Sequence, residues 1–449
     1  MHGDFSLNPL FTRDSVSRVL LQQGRVQLDS DSNEQTEATL RALRTAVRDI
    51  IGPHGGVGTA FEIKVEPAAP PRFRIGWGHY YVDGILAANE KPPGADALRA
   101  GNAQGVSADG ILYSEQPYFP TGIQPNTQHF DATKEFLVYL DVWERHLSAA
   151  EDDSLREVAL LGPDTASRAV IVWQVRILEK TDDNASTFER LDPKDALHEV
   201  LDPRILLRVQ AVKNTDTDPC IVSPEARYRG DNRLYRVEIH DVGSKAEPKA
   251  TFKWSSDNAS IAYPVRDIDG TTIELDSLGR DDRTAISIGD WVEVVDDESA
   301  LLGKAYDLVQ VIAVDRSRLE ITVDAPLKNP IETGSPRRTI LRRWATKPIE
   351  IRLASDPATQ WIDLADGVSV QFSIPGKAPR YRTGDYWLIP ARSATGDVIW
   401  PKDGSLPAQV APHGIQHHYA PLAVWEGAGT GATGKKFEGA RKTYTHLAK

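Results

Sequence analysis

Only one stretch of this chain carries apolar residues at sustained helical spacing: Leu40, Leu43, Val47 and Ile50. Asp31-Ser32 precedes them, with Glu34-Gln35 in the first turn, and Gly52-Pro53 follows. That is the pattern of a capped helix with an abrupt stop. After it come short runs rich in β-branched and aromatic residues, cut by turns. Phe61–Val65 alternates apolar and polar, and Arg74–Val82 and Ile85–Ala88 flank the hairpin turn Asp83-Gly84. Phe136–Trp143 and Val170–Ile177 read as long buried partners, and further strands are expected near 233–239, 289–295, 308–314, 319–323, 385–389 and 421–425. Such a chain is mainly β: a multi-domain antiparallel sandwich and small-barrel architecture with an N-terminal arm and one long helix.

With 449 residues the chain is long enough for about two to four domains. The pattern predicts an arm and helix over 1–52 as a docking segment, with a short arm strand at Arg25-Val26-Gln27-Leu28. A first β domain is expected over 53–213 and a second over 214–426, the latter including a small SH3-like barrel at 287–323. Residues 427–449 read as a flexible basic tail.

A net charge of −12 opposes non-specific nucleic-acid binding, which needs a basic field to release phosphate counterions. No apolar run is long enough for a transmembrane segment, and the opening residues lack the apolar core of a signal peptide. The single cysteine, Cys220, permits no intrachain disulfide. These features point to cytoplasmic assembly.

Candidate chemistry is thin. His413, His417 and His418 would be the ligands of a transition metal, and His413 and His417 share a face of an extended strand. No further ligands stand nearby, and hydrogen-bonded histidines beside Tyr419 are the plainer reading, so no cofactor is expected. Asp29-Ser-Asp31-Ser-Asn33 starts like a calcium loop but has Glu34 and Leu40 where Gly and Glu are needed. Gly429–Lys435 resembles a phosphate loop without its hydroxyl residue. No catalytic residue is predicted. Arg337, Arg338, Arg342 and Arg343 form a basic cluster best read as solvated or paired within the chain. Trp77, Tyr80, Tyr118 and Phe119 are candidates for stacking on sugar rings, although core packing explains most strand aromatics.

Several stretches together resemble one bacterial family, DUF6519. They include Gly3-Asp-Phe-Ser6, Gln22–Asp29, Asn33-Glu-Gln35, Ile51–Gly55, Tyr80–Gly84, Tyr139–His146, Gly162–Thr165, Tyr235–His240, Gly279–Asp282, Gly384–Arg392 and His413–Leu422. The family occurs near phage-tail-like contractile injection gene clusters and carries no established catalytic residues. The resemblance implies a structural subunit of a tail-like particle, at the baseplate or as a fibre-like accessory, assembled without a signal peptide and released with the particle. Its partners would be other subunits, in a homo- or hetero-oligomer. Docking would use Arg25, Val26, Gln27 and Leu28 with the helix stripe Leu40, Leu43, Val47 and Ile50. Two alternatives stand beside it: a module binding cell-surface carbohydrate, and a metal-dependent hydrolase or cargo effector using His413 and His417.

Overall fold

A computed structural model describes residues 1–6, 15–66, 72–93, 106–119, 134–181, 184, 196–212, 228, 230–243, 249–328, 339–356, 358–376, 379–425, 438, 439 and 441–444. The fold is mainly β, with several sheets, a closed barrel and one long helix. That helix, α1, runs Asp29–Ile51. It begins two residues before the expected cap: Leu28 holds the cap position and its N–H donates to the Asp31 carboxylate at 3.0 Å. Gly52 ends it at φ 95°, a left-handed value that glycine adopts without a Cβ clash. Residues 25–28 are not a strand; they lie exposed without a ladder partner among the described residues. A strand needs a neighbour to complete its hydrogen bonds, and the described residues supply none there.

The first β unit packs three sheets around Phe61, Tyr80, Val138, Trp173 and Leu422: the sheet of Ile63–Glu66, Arg72–Ile75, Gly110–Leu112 and Val106–Ser107, and two others. One holds His54–Val57, Gly78–Val82 and Ile85–Asn89, joined as predicted by a turn with φ 49° at Asp83 and 79° at Gly84. The other is built on the twelve-residue strands Phe136–Leu147 and Arg168–Glu179, paired from end to end. His417–Trp425 lies on the other side of Phe136–Leu147, so a strand expected in the second domain completes the first. The expected tail is also stitched in. Glu438–Gly439 pairs with that strand, and Thr443–Tyr444 pairs parallel to Gly56 and Val57. Residues 426–437, including the phosphate-loop-like run, lie outside the described residues, as do Cys220, Arg337 and Arg338.

A second core surrounds Leu207, Tyr235, Phe252, Phe372 and Trp387. Leu206–Ala211, expected in the first domain, pairs here with Val368–Ser373. The central strand Arg233–Asp241 lies between Thr251–Ser255 and Tyr386–Arg392. The barrel is larger than residues 287–323. Six strands close it in the order Ala262–Asp269, Thr272–Leu275, Glu320–Val323, Leu308–Asp315, Trp291–Val295, Ile340–Trp344 and back to the first. The stretch 287–323 holds only three of these strands, too few to shut a ring without 262–275 and 340–344.

Candidate docking surface and the cluster that anchors it

Residues 1–6 turn inward and do not belong to a free arm. The Met1 amino group donates to the Tyr386 hydroxyl, and the Met1 carbonyl accepts from Arg236 Nη1 and Asn258 Nδ2, both at 3.2 Å. Asn258 Nδ2 also donates to the Gly3 carbonyl at 2.9 Å. The His2 ring lies 3.2 Å from Glu238 Oε2, and Phe5 meets the His146 ring edge-on. This peptide covers a buried cluster of charges. Arg236 bonds Glu238 at 2.6 Å and stacks over the Tyr386 ring. Lys253 bridges Glu238 at 3.3 Å and Glu293 at 2.5 Å, and sits over Trp344. Burial would raise the Glu238 carboxyl, but Arg236, Lys253 and His2 together hold it well below the usual range. Burial, reinforced by the neighbouring arginines, pushes His2, His146 and the Met1 amine down. The cluster joins the central strand of the second unit, the barrel wall and the end of Phe136–Leu147, so the leading residues fasten three parts of the fold together.

Residues 15–28 then run on the outside, against α1. Gln35 Oε1 accepts from the Val19 N–H at 2.8 Å, and Arg41 donates to the Val16 carbonyl at 3.0 Å. Helix α1 sits on the first unit through polar contacts. Arg44 pairs with Glu144, Arg48 lies 3.6 Å from Asp83, and a Cβ at Gly84 would fall 2.3 Å from the Arg44 carbonyl. The hairpin turn therefore presses on the helix backbone itself. Ala38 is the one fully buried residue of α1. The apolar stripe faces largely outward: Leu40 and Val47 are half-buried, while Leu43 and Ile50 are 58% and 74% exposed. Leu20, Leu21, Val26 and Leu28 are each more than half exposed, with Arg25 and Gln27 open beside them. Arm and helix thus form one layer seated on the body mainly through polar contacts, with Leu20, Leu21, Val26, Leu28, Leu43 and Ile50 turned outward among polar side chains.

The three candidate histidines do not converge. His413 Nδ1 accepts from the Leu388 N–H at 3.0 Å, and burial pushes this ring down to about 4. His417 bonds Asp141 at 2.7 Å, stacks on Trp143 and is lowered by burial, while His418 bonds Asp83 at 2.9 Å. Neighbouring positions on one strand point to opposite faces, which separates His417 from His418. Among the described residues no group of three or more His, Cys, Asp or Glu is placed to hold a metal ion. The four candidate sugar-stacking aromatics are engaged in and around the first core. Tyr80 is fully buried, with His54 on its hydroxyl, because its strand faces the core; it is not available to a sugar ring. Trp77 donates to the Ser107 carbonyl, Tyr118 packs on the first core, and Phe119 meets Tyr113 edge-on.

The profile of a family of unknown function, DUF6519, matches residues 1–206 and 202–438. The chain belongs to the DUF6519 family. No curated protein and no solved structure matches it. In this DUF6519 chain the sequence reading missed the anchoring cluster. Arg236, Glu238 and His240 alternate with Tyr235, Val237 and Ile239, which reads as a strand with one wet face. The structure buries both faces. The available signal was sign alternation, since a cation and an anion two residues apart pair along one face. Arg342 and Arg343 of the basic cluster are likewise spent inside the DUF6519 fold, on the Ala259 and Ala285 carbonyls and on Asp257.

Proposed function

We propose that this protein is a structural subunit that docks on other subunits of a phage-tail-like particle through residues 15–28 and the outer face of α1. One observation carries the reading: a continuous layer of arm and helix turns Leu20, Leu21, Val26, Leu28, Leu43 and Ile50 to solvent while bonding to the body through polar groups. In a lone molecule this costs stability. Each side chain buried against a partner would contribute about 1.5–3 kcal/mol, enough for a specific contact after ordering costs are met. The tail-like context is what the family resemblance implies. The particle with Leu43→Asp and Ile50→Asp introduced together tests the proposal. Both sites are exposed, so the purified variant should keep the wild-type circular dichroism and melting temperature, yet be missing from assembled particles. A folded variant that still incorporates at the wild-type level overturns the docking surface.

A further inference from the structure

The chain passes from the first unit to the second through Asp202-Pro203. On one side the short helix Ala196–Leu201 packs Leu197 and Leu201 against Tyr139 and Tyr419 of the first unit. On the other side the Arg204 N–H donates to the Arg380 carbonyl at 2.8 Å, and Leu206–Ala211 enters the second core. Three features converge on the peptide bond between them. Its carbonyl oxygen, that of Asp202, accepts from Arg380 Nη1 at 3.1 Å. The Asp202 carboxylate holds His198 Nδ1 at 2.8 Å through Oδ2, while Oδ1 makes no hydrogen bond among the described residues. The nitrogen belongs to proline, a tertiary amide that leaves more readily once protonated. Helix capping accounts for part of this arrangement, since Arg204 Nη2 and Arg380 Nη1 both donate to the Glu199 carbonyl, at 2.7 and 3.0 Å. Capping does not need Arg380 to reach on to Asp202, which lies past the end of the helix.

We propose that the chain cuts itself at the Asp202–Pro203 bond. Asp202 Oδ1 attacks the carbonyl carbon of its own residue, and a five-membered cyclic anhydride forms. Nucleophile and carbonyl are held in one residue, so the step is unimolecular. As the O–C bond forms, the carbonyl oxygen takes up negative charge, and Arg380 Nη1 already donates to it. The C–N bond to Pro203 then breaks, and the leaving nitrogen takes a proton from the imidazolium of His198. Water opens the anhydride and leaves Asp202 as a new C-terminus with two carboxyl groups. Pro203 becomes a new N-terminus with a secondary amine. One water is consumed, and no oxidant, metal or second protein takes part. Water has access, because the His198 and Asp202 side chains are 29% and 41% exposed. The product is a nicked subunit. Its halves stay together, since His417–Trp425 of the second fragment lies beside Phe136–Leu147 of the first.

Intact mass spectrometry of the purified full chain, held for days at about pH 6, where an imidazole carries its proton, tests the proposal. Two fragments should accumulate, 1–202 and 203–449, whose masses sum to that of the whole chain plus one water. Three other Asp-Pro bonds, at 192–193, 218–219 and 356–357, serve as internal controls and should stay intact. Pro203→Ala keeps Asp202, His198 and Arg380 and removes only the leaving group, so an uncut Pro203→Ala chain is not a folding defect. Asp202→Ala should also remain whole. His198→Gln and Arg380→Met should each slow the cut by about a hundredfold, with circular dichroism unchanged. A wild-type chain that stays whole overturns the proposal. So does equal cutting at all four Asp-Pro bonds, or fragments that form at the wild-type rate in Asp202→Ala or Pro203→Ala.

Discussion

Asn258 is the clasp on the leading peptide, and replacing it separates the two things it does. Its side chain is fully buried and makes hydrogen bonds to the Met1 carbonyl, the Gly3 carbonyl and Arg236. Its backbone holds φ 54°. Asn258→Gly keeps that backbone at no steric cost and removes only the side chain. Three hydrogen bonds at about 1 kcal/mol each set the expected loss at about 3 kcal/mol. Asn258→Ala loses the same hydrogen bonds but keeps a Cβ in the left-handed region, so it should be roughly 1 kcal/mol less stable than Asn258→Gly. Urea denaturation measures both. The chain has a single methionine, Met1, so a methyl-labelled sample gives one resonance that reports on the clasp. In Asn258→Gly a second methyl signal should appear at the position of an unstructured chain, from molecules whose first residues have left the cluster. A glycine variant within about 0.5 kcal/mol of wild type, with one unshifted methyl signal, would refute the reasoning.

Lys253→Met removes the cation shared by the Glu238 and Glu293 carboxylates, each under 8% exposed, and should cost about 3–5 kcal/mol; a urea midpoint close to wild type would show that the pair is sustained by other groups. Acid should destabilise the protein in two stages. His2, His146, His240, His413 and His417 are all held below 6.5 by burial, so the unfolded chain takes up more protons and stability falls as pH drops below that value. At His413, lowered to about 4, the loss between pH 6.5 and 5 is about 2 kcal/mol, and His413→Gln should remove that part of the slope. Glu238 acts at lower pH: its carboxyl is depressed in the fold, so its contribution is present above about 4.5 and is lost as pH falls through the folded value. Equal urea midpoints at pH 7 and 5 would contradict the histidine stage.

What the sequence shows well is local. The stripe Leu40–Ile50 and the stop at Gly52 define α1 because both signals lie within one turn of each other, and Asp83-Gly84 defines its hairpin because the turn needs two left-handed residues in succession. Phe136–Leu147 and Arg168–Glu179 are legible as partners from length and β-branched content. What it hides is pairing between distant segments. Nothing in His417–Trp425 announces that it lies beside Phe136–Leu147, or that residues 262–275 and 340–344 complete the barrel. The docking surface is half legible. The apolar stripe of α1 is plain, but a stripe alone reads as facing the protein's own core. Arg44 on Glu144, Arg48 beside Asp83, the buried Ala38 and Gly84 beneath the helix backbone show that another face is the seated one.

The late strand His417–Trp425 has a consequence for how the protein is made. Its partner Phe136–Leu147 leaves the ribosome long before it, separated by the entire second unit and the barrel. For most of translation the first sheet therefore waits with one long, apolar border open, a template for pairing with any other nascent chain. Synthesis speed and holding chaperones, more than final stability, should then govern how much of this polypeptide reaches its native form.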